Sequence, residues 1–135
     1  MEKSTLTVII VDDDGLGVRK SVFEQYFQLE ALRLKKELII RIYVKFPCLS
    51  AFKDADIISW DNDLGVDTET IRHIRKHQYI DANKVFDLFK DKVHVIHSMN
   101  GVAADGLYML FTRDFYAETY KVSFIDMKRL VESLM

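Results

Sequence analysis

Cysteine and proline each occur once in the 135 residues, and glycine only five times. A lone Cys48 excludes an intrachain disulfide and fits a reducing compartment. Its thiol reads either as a reactive group or as a small buried hydrophobe near a strand end. With so little proline and glycine, no stretch has the composition of a linker, so residues 1–135 read as one domain of ordinary size. No apolar run approaches the roughly 18–20 residues that a membrane span needs. The first five residues lead straight into a strand-like segment without a signal-peptide pattern, which points to the cytoplasm. Charge of one sign is also missing: the formal net charge is −2, which gives no footprint for strong non-specific DNA binding. About half the residues are apolar and nearly a third charged, as in ordinary globular domains.

What is present is an alternation of strand-like and helix-like segments. Leu6 to Val11 is short, apolar and β-branched, the pattern of a strand buried on both faces. Val18 to Lys35 carries apolar residues mostly three and four apart and reads as a helix. Glu37 to Phe46, stopping at Pro47, reads as a second strand, with a short helical turn at Leu49 to Phe52. Asp56 to Trp60 reads as a third strand. Val66 to Tyr79 contains the basic run Arg72 to His77 and enough apolar residues for one helical turn, so it suits a solvated face or a mobile lid. Asp81 is the expected N-cap of the next helix. Val93 to His97 forms a fourth strand, Val102 to Phe111 a helix, and Lys121 to Phe124 a weak fifth strand before a last helix from Asp126 to Leu134. The expectation is an α/β fold: a single three-layer, doubly wound and mostly parallel sheet of about five strands, receiver- or flavodoxin-like.

Five aspartates sit where the first and third strands end: Asp12, Asp13 and Asp14 after Val11, and Asp61 and Asp63 after Trp60. In an open parallel sheet the carboxyl ends of the strands line one crevice, so the two groups can meet. Carboxylates that close repel unless they are protonated or bridged by a cation, and a hard oxygen-ligated ion such as Mg²⁺ resolves the conflict. Asp14 reads better as a turn or N-cap residue, His94 as a structural side chain, and the Trp60 ring should point away from the Asp61 side.

The order "VDDD … ISWDNDLG … VIHSMN" resembles the cyclic-phosphate-processing receiver domains, relatives of two-component receivers, over roughly residues 6–110. The matches are Asp12 and Asp13; Ser59, Asp61, Asp63, Leu64 and Gly65; and His97, Ser98 and Asn100. Asn62 stands where that family has histidine, and Gly101 where it has proline. In ordinary receivers the aspartate at the position of Asp61 accepts a phosphoryl group, Ser98 sits near the expected hydroxyl, and Lys121 could stand in for the usual lysine.

The resemblance implies a divalent-metal-dependent protein that handles a cyclic or terminal phosphate of a nucleotide or RNA end. Its Mg²⁺ or Mn²⁺ ligands would be Asp12, Asp13, Asp61 and Asp63. His97 would be general acid or base, and Ser98, Asn100 and Lys121 would bind phosphate. The alternative is a signalling module phosphorylated at Asp61, or one that binds a partner or nucleotide without turnover. A third reading follows from "VIIVDDDG", which fits the opening of haloacid-dehalogenase-like phosphatases, with Asp12 as nucleophile and Asp14 as acid.

Overall fold

The computed structural model describes residues 4–134. Its strands are β1 (Thr5–Val11), β2 (Glu37–Tyr43), β3 (Ile57–Trp60), β4 (Val93–Ile96) and β5 (Thr119–Lys121). They form one all-parallel sheet in the order β2-β1-β3-β4-β5. The helices are α1 (Lys20–Leu34), α2 (Thr70–Ile80), α3 (Ala82–Phe89), α4 (Gly101–Met109) and α5 (Phe124–Ser133). The doubly wound expectation holds. No helix among the described residues is long and apolar enough to cross a membrane.

Side chains alternate across a strand, and this alternation divides β1 between two cores. Leu6, Val8 and Ile10 pack with Ile57, Val95 and the α1 stripe Phe23, Phe27 and Ala31, together with Met127 of α5. Ile9 and Val11 pack on the other face with Ile58, Trp60, Ile74, Phe89, Leu107 and Phe111. The α1 stripe at i, i+4 and i+8 is one face of a helix. Large side chains buried on both faces supply most of the sheet's stability, at about 1.5–3 kcal/mol each.

Several local expectations shift. The segment after Val66 holds a full helix, α2, from Thr70 to Ile80, because Thr70 and Ile74 are both buried and anchor its inner face. Arg72, Arg75 and Lys76 lie outward, Arg72 close to Glu69 and Arg75 bonding Asp114 at 2.7 Å. β2 stops at Tyr43, and Phe46 instead stacks on His73, 4.8 Å away with an interplanar angle of 3°. Helix α1 begins two residues later than Val18, which is exposed. β5 lies earlier than expected, and α5 starts at Phe124, capped by the Ser123 hydroxyl. Asp81 does cap α3, accepting from the Lys84 N–H. Cys48 is exposed rather than buried, with Sγ 3.1 Å from the Ser50 hydroxyl.

Candidate functional site

The same alternation builds the candidate site. Asp12 continues the side of Val8 and Ile10, Asp61 that of Ile57 and Ser59, and His97 that of Val95. All three therefore emerge on the α1/α5 side of the sheet, past the carboxyl ends of β1, β3 and β4. In this strand order the chain reverses direction between β1 and β3, the crevice where open α/β sheets bind ligands. Trp60 falls on the opposite side, among Phe52, Phe89, His94 and Phe111, as its position one residue before Asp61 requires.

Asp12 is wholly buried and held by three donors. His97 Nε2 lies 2.8 Å and Arg19 Nη1 3.0 Å from its Oδ2, while the Asp14 N–H donates to Oδ1 at 2.8 Å. Burial pushes its carboxyl up, but His97, the Asp14 amide and the Arg19 charge outweigh burial and hold it below the usual carboxylate range. His97 is buried too, and its Nδ1 lies 2.7 Å from the Ser59 hydroxyl. Phe23 meets the His97 ring edge-on at 4.8 Å.

Asp61 is different. Its side chain keeps 12% exposure, Arg19 Nη1 comes no nearer than 3.9 Å, and the Asp63 N–H donates to Oδ1 at 3.3 Å. Burial pushes its carboxyl up to about 6; Asp12 adds to the rise, while His97 and Arg19 oppose it. Ligand atoms of Asp12, Asp61 and His97 lie within 4.8 Å of one another, as do those of Asp12, Asp13 and Asp14.

Asp13 and Asp63 are exposed at the rim. Partial burial and the charges of Asp14, Asp12 and Asp63 raise the Asp13 carboxyl. Gly65, at φ +64°, lets the loop after β3 pass close to it: a Cβ there would stand 2.9 Å from Asp13 Oδ2. Only glycine adopts such a φ at little cost. Asp63 accepts the Gly65 N–H at 3.0 Å. Asp14 lies in a turn, its carbonyl accepting from Gly17, and caps no helix.

Ser98 is buried and accepts the Asn100 N–H at 3.3 Å. Asn100 caps α4 through Oδ1, accepting from Ala103 at 3.2 Å. Both therefore stand at a helix amino terminus. Lys121 does not join the cluster: its Nζ bonds Asp105 at 2.7 Å and lies over the Tyr108 ring.

Asn62 supports the start of α2. Its Oδ1 accepts the Ile71 N–H at 3.1 Å, and its carbonyl accepts the Thr70 N–H at 2.8 Å. Buried and satisfied, it answers the unpaired donors of a helix start. Thr70 returns a hydroxyl bond to the Asp61 carbonyl, tying α2 to the site.

Two residues of the cluster had not been read as functional. Ser59 carried a signal, as the one hydroxyl inside an otherwise apolar third strand. Arg19 carried none, because it sits on an irregular turn just before α1.

No known protein family matches the chain, and no characterised protein is significantly similar to it in sequence. A solved structure similar to it is that of a short-chain flavodoxin associated with a non-canonical PDU bacterial microcompartment. The TM-score is 0.50 at 15% identity, covering 96% of this chain and 93% of that one. At that identity the likeness speaks to the fold alone, and it makes this chain flavodoxin-like in architecture.

Proposed function

We propose that this chain is a divalent-cation-dependent phosphate-handling protein, with its centre at the ends of β1 and β3. The observation that carries the reading is the Asp12–Asp61 pair: two carboxylates in a largely buried crevice at the sheet's reversal point, sharing one guanidinium. Crowding at Asp13, whose carboxyl is raised by partial burial and by the charges of Asp14, Asp12 and Asp63, suits an oxygen-seeking ion such as Mg²⁺ or Mn²⁺. Asp61 and Asp13 are the candidate direct ligands, with Asp12 and Asp63 direct or through water. When bound, the ion would polarise a phosphoryl oxygen and acidify water.

Ser98 and the free amide nitrogen of Asn100 stand where a helix start favours an anion, and they are the candidate phosphate donors. His97 holds Asp12 through Nε2 and has no exposed surface, which favours a positioning role over direct proton transfer to substrate. A cyclic or terminal phosphate of a nucleotide or RNA end is the substrate class that the motif resemblance suggests, within a receiver-like domain.

A second reading, Asp61 as acceptor of a phosphoryl group, is favoured by one contrast: Asp61 keeps some exposure whereas Asp12 has none. The dehalogenase-like reading fares worse, because Oδ2 of the would-be nucleophile Asp12 already receives two bonds and Oδ1 a third.

Calorimetric titration with Mn²⁺ at neutral pH tests the main reading. One site is expected in the wild type, lost in Asp61→Asn and unchanged in Lys121→Met. No binding by the folded wild-type protein would overturn it. Acetyl phosphate labelling that depends on Asp61, without turnover of cyclic or terminal phosphates, would select the second reading.

A further inference from the structure

Arg19 stands where the proposed ion would have to act. Its Nη1 lies 3.0 Å from Asp12 Oδ2 and 3.9 Å from Asp61 Oδ2, so one positive charge spans the carboxylate pair. The guanidinium is held from behind as well: its carbon lies 4.6 Å from the centre of the Phe124 ring, a cation–π arrangement. Phe124 is in turn fixed to the site, since its N–H donates to the His97 carbonyl at 3.1 Å and its ring meets Phe23 at 5.5 Å. Arg19 is the N-cap residue of α1: its carbonyl accepts the Phe23 N–H at 3.1 Å, while its side chain caps nothing there. The backbone is therefore fixed by the helix start, and the long side chain alone can swing between partners.

From this geometry, and resting on the metal reading above, we propose that Arg19 is a built-in counter-cation of the Asp12–Asp61 pair. It neutralises the pair in the ion-free protein, and a divalent ion held at this pair would have to compete with it for Asp12 Oδ2.

Two like-charged carboxylates this close destabilise the fold unless something positive stands between them. A guanidinium supplies that charge at all times, because it does not deprotonate in proteins. A divalent ion supplies more charge but meets an occupied oxygen. The protein thus exchanges one cation for another, and the affinity measured for the ion is the difference between two competing attachments. Phe124 gives the displaced guanidinium an apolar seat, so that release from the carboxylates need not expose it wholly to solvent.

The test compares Mn²⁺ dissociation constants of the wild type, Arg19→Gln and Arg19→Lys, with thermal unfolding of each protein in chelator. Removing the charge should tighten Mn²⁺ binding about 10- to 100-fold, the worth of a charge-assisted bond that the ion no longer has to break. The same variant should melt lower than wild type in chelator and regain the difference when saturated with Mn²⁺. Arg19→Lys, which keeps the charge, should stay close to wild type in affinity. Equal affinity in wild type and Arg19→Gln overturns the inference while leaving the metal reading intact. Absence of binding in every folded protein overturns both.

Should Arg19→Gln fail to fold, the wild type decides. The ¹⁵N guanidinium resonance that Arg19→Lys lacks must shift as Mg²⁺ saturates the protein, and a resonance that does not move overturns the inference.

Discussion

His94 and His97 lie three residues apart, both wholly buried and both bonded through each ring nitrogen, yet their surroundings do opposite things. His94 faces the aromatic core. The Trp60 Nε1–H donates to its Nδ1 at 3.0 Å, and its Nε2 lies 3.0 Å from the Phe89 carbonyl. An indole can only donate and a carbonyl can only accept, so the neutral ring with its proton on Nε2 is the one form that satisfies both. Phe111 stacks on it at 4.1 Å, and burial drives its pKa down to about 4. His97 faces a carboxylate and a hydroxyl. A carboxylate can only accept, whereas a hydroxyl either donates or accepts, so the Asp12 side of this ring is fixed and the Ser59 side adapts to it. The partners, not the depth of burial, separate a structural histidine from one that belongs to a polar site.

The comparison is broken most forcefully at His97. Replacing it with phenylalanine takes a donor from the buried Asp12 and strands the Ser59 hydroxyl. The expected loss is about 3 kcal/mol, the upper end of what leaving buried polar groups short of a partner costs. Urea unfolding at neutral pH measures it, and a loss below ~1 kcal/mol would mean that Arg19 and the Asp14 N–H suffice to hold Asp12.

The next effect in size is a pH dependence at His94. The folded pKa lies below the unfolded value of 6.5, so the unfolded chain binds the proton first as acid is added. The stability that the neutral ring provides is complete above pH 6.5. It is lost as the pH falls toward about 4, amounting to about 3 kcal/mol in all. Subtracting the profile of His94→Gln, which offers an acceptor and a donor but does not titrate, isolates this window. A His94 ring proton shift that titrates near 6.5 by NMR would show that burial does not hold this ring neutral.

The smallest effect sharpens the contrast. Ser59→Ala leaves Nδ1 of His97 with no partner among those identified, at a cost of about 1–3 kcal/mol. The His94 titration, on the opposite face of the sheet, should stay where it was. A Ser59→Ala protein as stable as wild type would show that the hydroxyl does not support the ring.

The division between legible and illegible parts follows the same physics. Strand periodicity put Asp12, Asp61 and His97 at strand ends and set Trp60 on the other face, because alternation is a property of the backbone that needs no knowledge of partners. The sheet and its helices were legible for that reason. Asn62 was not: its role at the start of α2 depends on where a helix begins eight residues later, and the basic run suggests only one turn. Lys121 reads as a site lysine only until Asp105, sixteen residues earlier, is seen beside it. Arg19 could not be found from spacing at all, because an irregular turn has no period to betray its direction.

Pairing between the central strands is direct: Val11 stands opposite Trp60, and Trp60 opposite Ile96. Asp12, Asp61 and His97 are the next residues along each strand, so they meet only when three separate stretches of chain have aligned in step. Shifting β3 by a single position would bring Trp60 or Asn62 to the place of Asp61 and send its side chains to the wrong faces. The polar cluster is thus also a proofreading mark. A probe that sees Asp61 beside Asp12 reports that the middle of the sheet has closed in the right register, and a chain caught one step out would have its core scrambled and its acids scattered together.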